Sequence, residues 1–255
     1  MKKNIVIYTA ISGDYDNLKS PEYVHKDYDY VCFSDNQFLK SDVWHIVPFE
    51  EHFEDMTLTT RQVKLLPHRY FSSYEFSLWI DGSIVLKNDI SHLLNNYLQN
   101  ENIAMFKHPL HRCSIKDEVA ACIELKKDLQ RKLIFQRDLY YSLGYNDTVT
   151  CIPLTCCIFR RHNEKKLIMA MEEWWTHVRT YSKRDQVSFP FVAWKLGLPF
   201  NLINDQLFND YFSRSTHDGQ NFKDRIISYL SQGGLFQVNT DHGQFHLVHL
   251  SEKNL

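Results

Sequence analysis

Asp81, Gly82 and Ser83 interrupt an apolar segment that runs from Phe76 to Leu86. The β-branched and aromatic residues around this triplet predict a buried β-strand. A carboxylate in such a strand needs a partner, because burying an unpaired charge is energetically costly. We expect that partner to be Mg²⁺ or Mn²⁺, since hard cations prefer carboxylate oxygens. The alternative is an Asp-Gly turn between two strands of a hairpin.

Ser83 follows Asp81 at an interval of two residues, which on a strand places both side chains on one face. Both residues are therefore predicted metal ligands. Gly82 between them has no side chain and lets a diphosphate approach the backbone closely. His217 lies in a predicted loop from which it would close the metal site from outside the sheet.

Arg61 and Lys64 are three residues apart in a segment of helical character, so they share one helix face. Arginine holds two phosphate oxygens at once, whereas lysine acts as a point charge. The pair predicts a phosphate-binding face. The alternative is an ordinary solvated basic face.

Small and polar residues follow the first two predicted strands. In open α/β sheets, ligands bind beyond the carboxyl ends of the strands. The side chains there leave room for a nucleotide, and a tyrosine can stack on its base. The residues predicted to bind the nucleotide are Thr9, Ala10, Ser12 and Tyr15 after the first strand and Asp35 after the second.

Asp185 and Gln186 begin a predicted helix that extends to Leu196 and contains Pro190. The charged start of this helix is a candidate wall of a sugar pocket. The alternative is that Asp185 only compensates the helix dipole.

Strand-like and helix-like segments alternate through the first half of the chain, which predicts an α/β fold with a largely parallel sheet. Further along, a long helix is predicted from a capping box at Ser114 towards Gly144. The predicted buried stripe of this helix consists of Ile115, Val119, Cys122, Leu125, Leu129 and Leu133.

The bulk composition excludes several classes of protein. Of 255 residues, 44% are hydrophobic, and the net charge of -2 argues against non-specific nucleic-acid binding. No segment approaches the roughly 20 apolar residues of a membrane span, which leaves only peripheral membrane contact open. Six cysteines without a Cys-x-x-Cys pair indicate reduced thiols, so we expect a cytoplasmic protein.

We expect one domain over residues 1–255, because no repeat or low-complexity linker divides the sequence. Within it, a nucleotide-binding half is predicted at about 1–110 and an acceptor-side half at about 111–255.

Four motifs occur in a fixed order: YTAISGDYD at 8–16, RQVKLLPH at 61–68, WIDGS at 79–83 and RDQVSF at 184–189. This ordered set resembles the TOD1/MUCI70-type glycosyltransferase-like family. The resemblance implies a GT-A fold, in which an Asp-x-Asp-like motif holds Mn²⁺ or Mg²⁺ against a nucleotide sugar. Here Ser83 replaces the second acid of that motif. The resemblance also implies a histidine ligand, for which His217 is the first choice and His249 the second.

By the same resemblance, Asp185 and Gln186 lie beside the transferred sugar as the catalytic pair. The implied reaction moves a sugar from a nucleotide diphosphate sugar, first of all a UDP-sugar, to a saccharide or glycolipid acceptor. The implied pathway is bacterial surface-polysaccharide or lipopolysaccharide synthesis. Two alternatives remain: a nucleotide-sugar hydrolase or phosphotransferase, and a non-catalytic saccharide-binding module.

Overall fold

The computed structural model describes residues 4–13, 17–110, 112–147 and 151–215, together with the backbone of 236–241 and 244–249. The chain divides into two compact units, Met1–Ser215 and Thr216–Leu255. Whether they act as one domain, as the sequence predicts, stays a prediction.

Nine strands are described in the first unit. They are β1 (Ile5–Ile11), β2 (Tyr28–Ser34), β3 (His45–Val47), β4 (Phe76–Ile80), β5 (Ile84–Leu86), β6 (Ile103–Lys107), β7 (Pro153–Arg160), β8 (Asn201–Ile203) and β9 (Phe212–Arg214). Seven of them form a central sheet in the order β3-β2-β1-β4-β7-β6-β8. Of the seven described strands of the central sheet, β7 alone runs antiparallel to both of its neighbours. The predicted α/β class with a mixed, mostly parallel sheet is confirmed.

Helices cover both faces of this sheet. They are α1 (Met56–Leu65), α2 (Pro67–Tyr70), α3 (Ser91–Tyr97), α4 (Ile115–Glu124), α5 (Gln130–Ser142), α6 (Lys165–Thr180), α7 (Asp185–Lys195) and α8 (Phe208–Tyr211), with a 3₁₀ turn at Asp205–Leu207. The break between α1 and α2 falls before Pro67, as its ring requires. In the described part of the chain, no helix is long and apolar enough to cross a membrane.

The apolar core lies in two layers, one on each face of the sheet. Alternate residues of β1 serve different layers, because side chains of a strand point to opposite faces. Tyr8 and Trp79 belong to the layer under α6 and α7, whereas Ile7 and Leu78 belong to the layer that includes α3. The sheet is therefore a rigid platform whose carboxyl edge can carry polar groups.

The segment Phe76–Leu86 is not one continuous strand, and the predicted turn at Asp81–Gly82 is present but does not join two strands of a hairpin. β4 lies in the central sheet, whereas β5 pairs with β9 in a separate two-stranded sheet. The Ile84 N–H donates to the Asp81 carbonyl at 2.8 Å and closes a turn between the two strands. Because Asp81 and Ser83 lie in this turn, the two-residue spacing does not place them on one strand face.

The single long helix predicted after Ser114 is also wrong. The capping box at Ser114 is present, but the helix ends at Glu124 and α5 begins at Gln130. Lys126 has a φ of 50°, and the Lys127 N–H donates to the Cys122 carbonyl at 2.9 Å, which ends α4. The reversal takes Leu125 and Leu129 out of the core.

In the second unit, β10 (Phe236–Asp241) and β11 (Gln244–His249) form a two-stranded antiparallel sheet. They pair with each other.

Candidate functional site

Lys64 lies at the centre of the candidate site, between the carboxylates of Asp81 and Asp185. Its Nζ is 2.6 Å from Asp185 Oδ2 and 3.1 Å from Asp81 Oδ1. Arg61 brings its Nε to 3.5 Å from the same Asp185 oxygen. The Lys64 side chain is fully buried and that of Asp185 is 1% exposed. These residues form a charge-balanced set of two acids and two cations, which we call the four-charge cluster.

Three separate elements bring the four-charge cluster together. Arg61 and Lys64 lie in the last turns of α1, on one face as their spacing predicts. Asp81 directly follows β4 at the carboxyl edge of the sheet. Asp185 is the first residue of α7, where the helix dipole favours a negative charge. The ion pairs therefore join α1, α7 and the sheet at one point.

Asp81 is held through one of its two carboxylate oxygens. Oδ1 accepts the Lys64 ammonium and also the Trp79 indole N–H, at 2.7 Å. The Asp81 backbone N–H donates to the Cys156 carbonyl at 2.9 Å. Among the described residues, no group bonds to Oδ2, and the side chain is 33% exposed. One carboxylate oxygen is thus held by the fold, while the other has no hydrogen-bond partner among the described residues.

Opposing effects set the protonation of Asp185. Burial alone would raise its pKa. The charges of Arg61, Lys64 and Arg184 outweigh burial and hold the pKa of Asp185 far below its usual 3.8. Asp185 is consequently ionised throughout the physiological pH range.

The pKa of Asp81 is also set by opposing effects, and it is lowered less than that of Asp185. Desolvation would raise its pKa, and the neighbouring Asp185 carboxylate acts in the same direction. The charges of Lys64 and Arg61, with the Trp79 hydrogen bond, outweigh these effects and lower the pKa of Asp81 from 3.8. Both acids are therefore negative at neutral pH.

Several buried hydrogen-bond donors near Asp185 have no acceptor among the described residues. They are Nε of Arg61, Nε of Arg184 and Nε2 of Gln186. Gln186 is only 8% exposed. Its backbone N–H donates to Asp185 Oδ1 at 3.0 Å, whereas its side-chain Nε2 has no acceptor among the described residues. Buried donors are almost always paired in native proteins, so the unpaired donors of Arg61, Arg184 and Gln186 are candidate contacts for an oxygen-rich ligand.

A buried hydrogen-bond chain from Arg160 through Tyr8 reaches the backbone carbonyl of Lys64. Arg160, at the end of β7, is fully buried and donates from its guanidinium to the Tyr8 hydroxyl. That hydroxyl donates to the Lys64 carbonyl at 2.9 Å. In the described part of the chain no carboxylate pairs with Arg160, whose other contact is Met171 Sδ at 3.7 Å. The carbonyl end of α1 is thus anchored by a positive charge, which the helix dipole favours.

The predicted nucleotide-binding residues at the ends of the first strands are only partly gathered. The Gly13 N–H donates to both carboxylate oxygens of Asp35, at 3.1 Å to Oδ1 and 3.0 Å to Oδ2. This contact joins the end of β2 to the loop after β1. Thr9 is 2% exposed and Ala10 is 9% exposed, whereas Ser12 is half-buried. These residues lie at the same carboxyl edge as Asp81, because β1, β2 and β4 are parallel.

The remaining predicted residues cannot all be located. Tyr15 and His217 lie outside the described residues, and only the backbone of His249 is described, in β11. Gly82 and Ser83 lie in the turn after Asp81, where the Ser83 carbonyl accepts the Ser215 N–H at 2.8 Å. In the part of the chain that the structure describes, no group of three His, Cys, Asp or Glu residues could hold a metal ion.

Sequence reasoning missed Tyr8, Arg160 and the role of Trp79. Tyr8 and Trp79 stand in motifs singled out above, yet both have the appearance of ordinary core aromatics. Arg160 gave a usable signal, since it ends the apolar run Pro153–Arg160 and a charge in such a run needs a partner.

Comparisons with known proteins place the chain among relatives. The model of the TOD1/MUCI70 glycosyltransferase-like domain matches residues 1–217. The probable hexosyltransferase MUCI70 of Arabidopsis thaliana is 26% identical over 226 residues, which cover 78% of this chain and 39% of that protein. The alkaline ceramidase TOD1 of the same plant is 24% identical over 225 residues, covering 75% and 48% respectively. The chain spans less than half the length of these relatives.

A likeness to a solved structure is weaker. The apo structure of WbbM, a bifunctional glycosyltransferase, aligns with a TM-score of 0.46 and 12% identity, over 80% of this chain and 39% of that one.

Replacing Lys64 by Met should lower the free energy of unfolding by about 3–5 kcal/mol at pH 7, because the buried Asp185 carboxylate and the partly exposed Asp81 carboxylate lose their shared cation. The loss should shrink as the pH falls towards 4. In the wild type, the lowered pKa of Asp185 makes its stabilisation complete above pH 3.8, and the stabilisation is lost progressively as the pH falls from there through the lower pKa of the folded state. In the variant, burial dominates and protonation relieves the repulsion. Urea unfolding at several pH values measures both.

The matched control for this experiment is Lys165→Met, which removes an exposed ammonium at the start of α6. We expect it to change the free energy of unfolding by less than about 0.5 kcal/mol at every pH. A Lys64→Met loss that does not vary with pH would contradict the electrostatic role of this lysine.

Replacing Tyr8 by Phe should lower the free energy of unfolding by about 1–3 kcal/mol, because Arg160 and the Lys64 carbonyl both lose a buried partner. Tyr70→Phe is the matched control, since its hydroxyl is 3.5 Å from Gln62 Oε1 and should matter little. Equal urea midpoints for the two variants would show that the Tyr8 hydroxyl does not anchor α1.

Proposed function

Because the chain belongs to the TOD1/MUCI70 glycosyltransferase-like family, we propose that it transfers a sugar from a nucleoside diphosphate sugar, a UDP-sugar first of all, to a saccharide acceptor. The observation that carries the proposal is the four-charge cluster at the carboxyl end of β4, together with the unpaired buried donors of Arg61, Arg184 and Gln186. Sugar hydroxyls and phosphate oxygens are the acceptors that such donors need.

Charge develops at two places when a sugar leaves a diphosphate. The diphosphate becomes more negative, and preorganised cations in a dry site stabilise that charge most effectively. Arg61 is the best candidate for this role, because its side chain is 14% exposed and its Nε has no hydrogen-bond acceptor among the described residues. Lys64 is fully buried between two carboxylates. We therefore assign Lys64 to holding Asp81 and Asp185 in place.

The sugar becomes more positive as the bond to phosphate breaks. Asp185 carries a stable negative charge at neutral pH and lies next to the unpaired amide of Gln186. A general base works best with a pKa near the working pH, so a strongly acidic carboxyl is a poor proton acceptor. We assign Asp185 to electrostatic stabilisation of the sugar and Gln186 to binding its hydroxyl groups.

A divalent cation remains part of the proposal. The residues present suit one in the chemistry of their donor atoms: Oδ2 of Asp81 has no partner among the described residues, and the Ser83 hydroxyl lies two residues away. His217, the further ligand expected from the sequence, lies outside the described residues. When bound, Mg²⁺ or Mn²⁺ would supply Lewis-acid stabilisation of the diphosphate. Asp81 itself directs one oxygen to the protein and leaves the other for the cation.

The nucleotide is proposed to lie along the ends of β1 and β2. Thr9, Ala10 and Ser12 line that edge, and the bond from Gly13 to Asp35 fixes the loop that follows. Tyr15 is proposed to stack on the base. A cytoplasmic location and a role in bacterial surface-polysaccharide or lipopolysaccharide synthesis stay predictions from the sequence.

UDP with Mn²⁺ should raise the melting temperature of the wild type, and a chelator should abolish the rise, because ligand binding to the native state stabilises it. Asp81→Asn should lose the metal-dependent part. Asp138→Asn, which changes an exposed acid paired with its neighbour Arg137, should keep the full shift. The measurement is a thermal-shift screen of UDP and GDP with Mn²⁺, Mg²⁺ or EDTA. No shift with any nucleotide would remove the basis of the proposal.

Arg61→Lys should lower kcat/KM for sugar transfer by about a hundredfold, since lysine cannot reproduce a bidentate grip on phosphate. Arg69→Lys is the matched control, because that arginine pairs with Glu172 away from the four-charge cluster. The assay follows nucleoside diphosphate release from UDP-sugars with a panel of saccharides.

The same assay separates the alternatives. Release of nucleoside diphosphate that is equally fast without acceptor would favour a hydrolase. Tight nucleotide-independent saccharide binding without turnover would favour a binding module. Ceramide is also tested as a substrate, because one relative is named a ceramidase. Ceramide hydrolysis at a rate that Arg61→Lys leaves unchanged would contradict the proposed transferase.

A further inference from the structure

The link between α4 and α5 exposes apolar side chains that a surface loop does not need. Leu125 is 58% exposed, Leu129 is 48% exposed and Phe135, on the first turns of α5, is 60% exposed. Their exposure is a property of the fold, because α4 ends where Lys126 adopts a positive φ and the chain reverses. A cluster of large exposed apolar groups is an informative feature of a surface, unlike a single exposed leucine.

Exposed cations are interleaved with these apolar groups. Lys126, Lys127, Arg131 and Lys132 all have exposed side chains, whereas Glu124 is the one exposed acid between residues 124 and 135. Asp128 is partly buried and engaged, since its Oδ2 accepts the Ser182 hydroxyl at 2.7 Å. The surface is therefore both apolar and strongly positive. We call the exposed side chains of residues 125–135 the basic–apolar patch.

The loop that bears the basic–apolar patch contacts the segment that leads into α7. Asp128 also accepts the Lys183 backbone N–H at 2.9 Å, two residues before Asp185. At the other end of this segment, the ring centroids of Phe135 and of Tyr181, which follows α6, are 6.2 Å apart. The segment that leads into α7 is thus held against the patch at both ends.

We propose that the basic–apolar patch docks this face of the protein onto an anionic lipid surface, so that the acceptor saccharide is one carried by a lipid. Apolar side chains that enter the boundary between headgroups and acyl chains, together with lysines and arginines that meet anionic headgroups, form the two-part signal that stable peripheral binding needs. The docking itself rests on the patch alone. The lipid-borne acceptor rests on the proposed function as well.

The charge complementarity selects this occupant over a protein. Four exposed cations against one exposed acid, spread around three apolar side chains, suit a laterally uniform negative surface. A second copy of the chain would bring like charges together on a two-fold contact and is disfavoured.

The test is co-sedimentation of the whole chain with phosphatidylglycerol–phosphatidylcholine vesicles and with phosphatidylcholine vesicles. We expect binding to the anionic vesicles that weakens with salt, and little binding to the neutral ones. The triple variant Lys126→Gln, Lys127→Gln, Arg131→Gln should bind about a hundredfold more weakly, at roughly one factor of five for each charge. The triple variant Lys26→Gln, Lys40→Gln, Lys165→Gln removes equal charge from exposed sites elsewhere and should bind like the wild type.

A second pair of variants tests the apolar part. Phe135→Ser should weaken vesicle binding, whereas Met169→Ser, at an equally exposed site on α6, should not. Equal loss in the patch and control variants, or binding that is the same for neutral vesicles, would overturn the inference. So would a dimer in solution that Phe135→Ser dissociates.

Nucleotide binding measured in parallel separates this inference from the proposed function. The patch variants should keep the UDP-dependent thermal shift of the wild type, because none of them touches the four-charge cluster. Vesicle binding without any nucleotide shift would leave docking intact and refute the transferase. A nucleotide-dependent thermal shift without vesicle binding would refute docking and leave the transferase proposal intact.

Discussion

The buried ammonium of Lys64 is the interaction on which the candidate site depends. A fully buried lysine is tolerated only with partners, and here Asp185 at 2.6 Å and Asp81 at 3.1 Å provide them. Each partner stands at the end of a different element, so one cation fixes the relative placement of α1, α7 and the sheet edge. The same arrangement keeps both acids ionised, and of the two cations the Arg61 side chain is the more exposed, at 14%.

Much of this arrangement follows from the sequence. Parallel strands bring their carboxyl ends to one edge, so the ends of β1, β2 and β4, which precede Asp35 and Asp81, share one edge of the sheet. The three-residue spacing of Arg61 and Lys64 gave a shared helix face. It did not predict that Lys64 is fully buried while Arg61 is partly exposed, because the burial of each side chain depends on how closely α1 packs against β4. That depth is set by tertiary packing, which local patterns do not contain.

The errors in the sequence analysis have a common physical origin. An apolar period of three to four residues continues from Ile115 through Leu125 and Leu129 to Leu133, so it predicts one helix. The chain instead reverses at Lys126, where non-local bonds from Asp128 to Ser182 and Lys183 favour the turn. Periodicity reports which residues can share a face. It does not report whether that face meets the core.

Arg160 has a consequence for how β7 finds its neighbours. Every residue of Pro153–Arg160 is buried, so an alternation of polar and apolar side chains is missing and a slip by one residue would bury equally apolar groups. Such a slip would, however, turn the guanidinium away from the Tyr8 hydroxyl and leave it alone in hydrocarbon. A single charged side chain therefore acts as the register lock of the one antiparallel strand in the described central sheet.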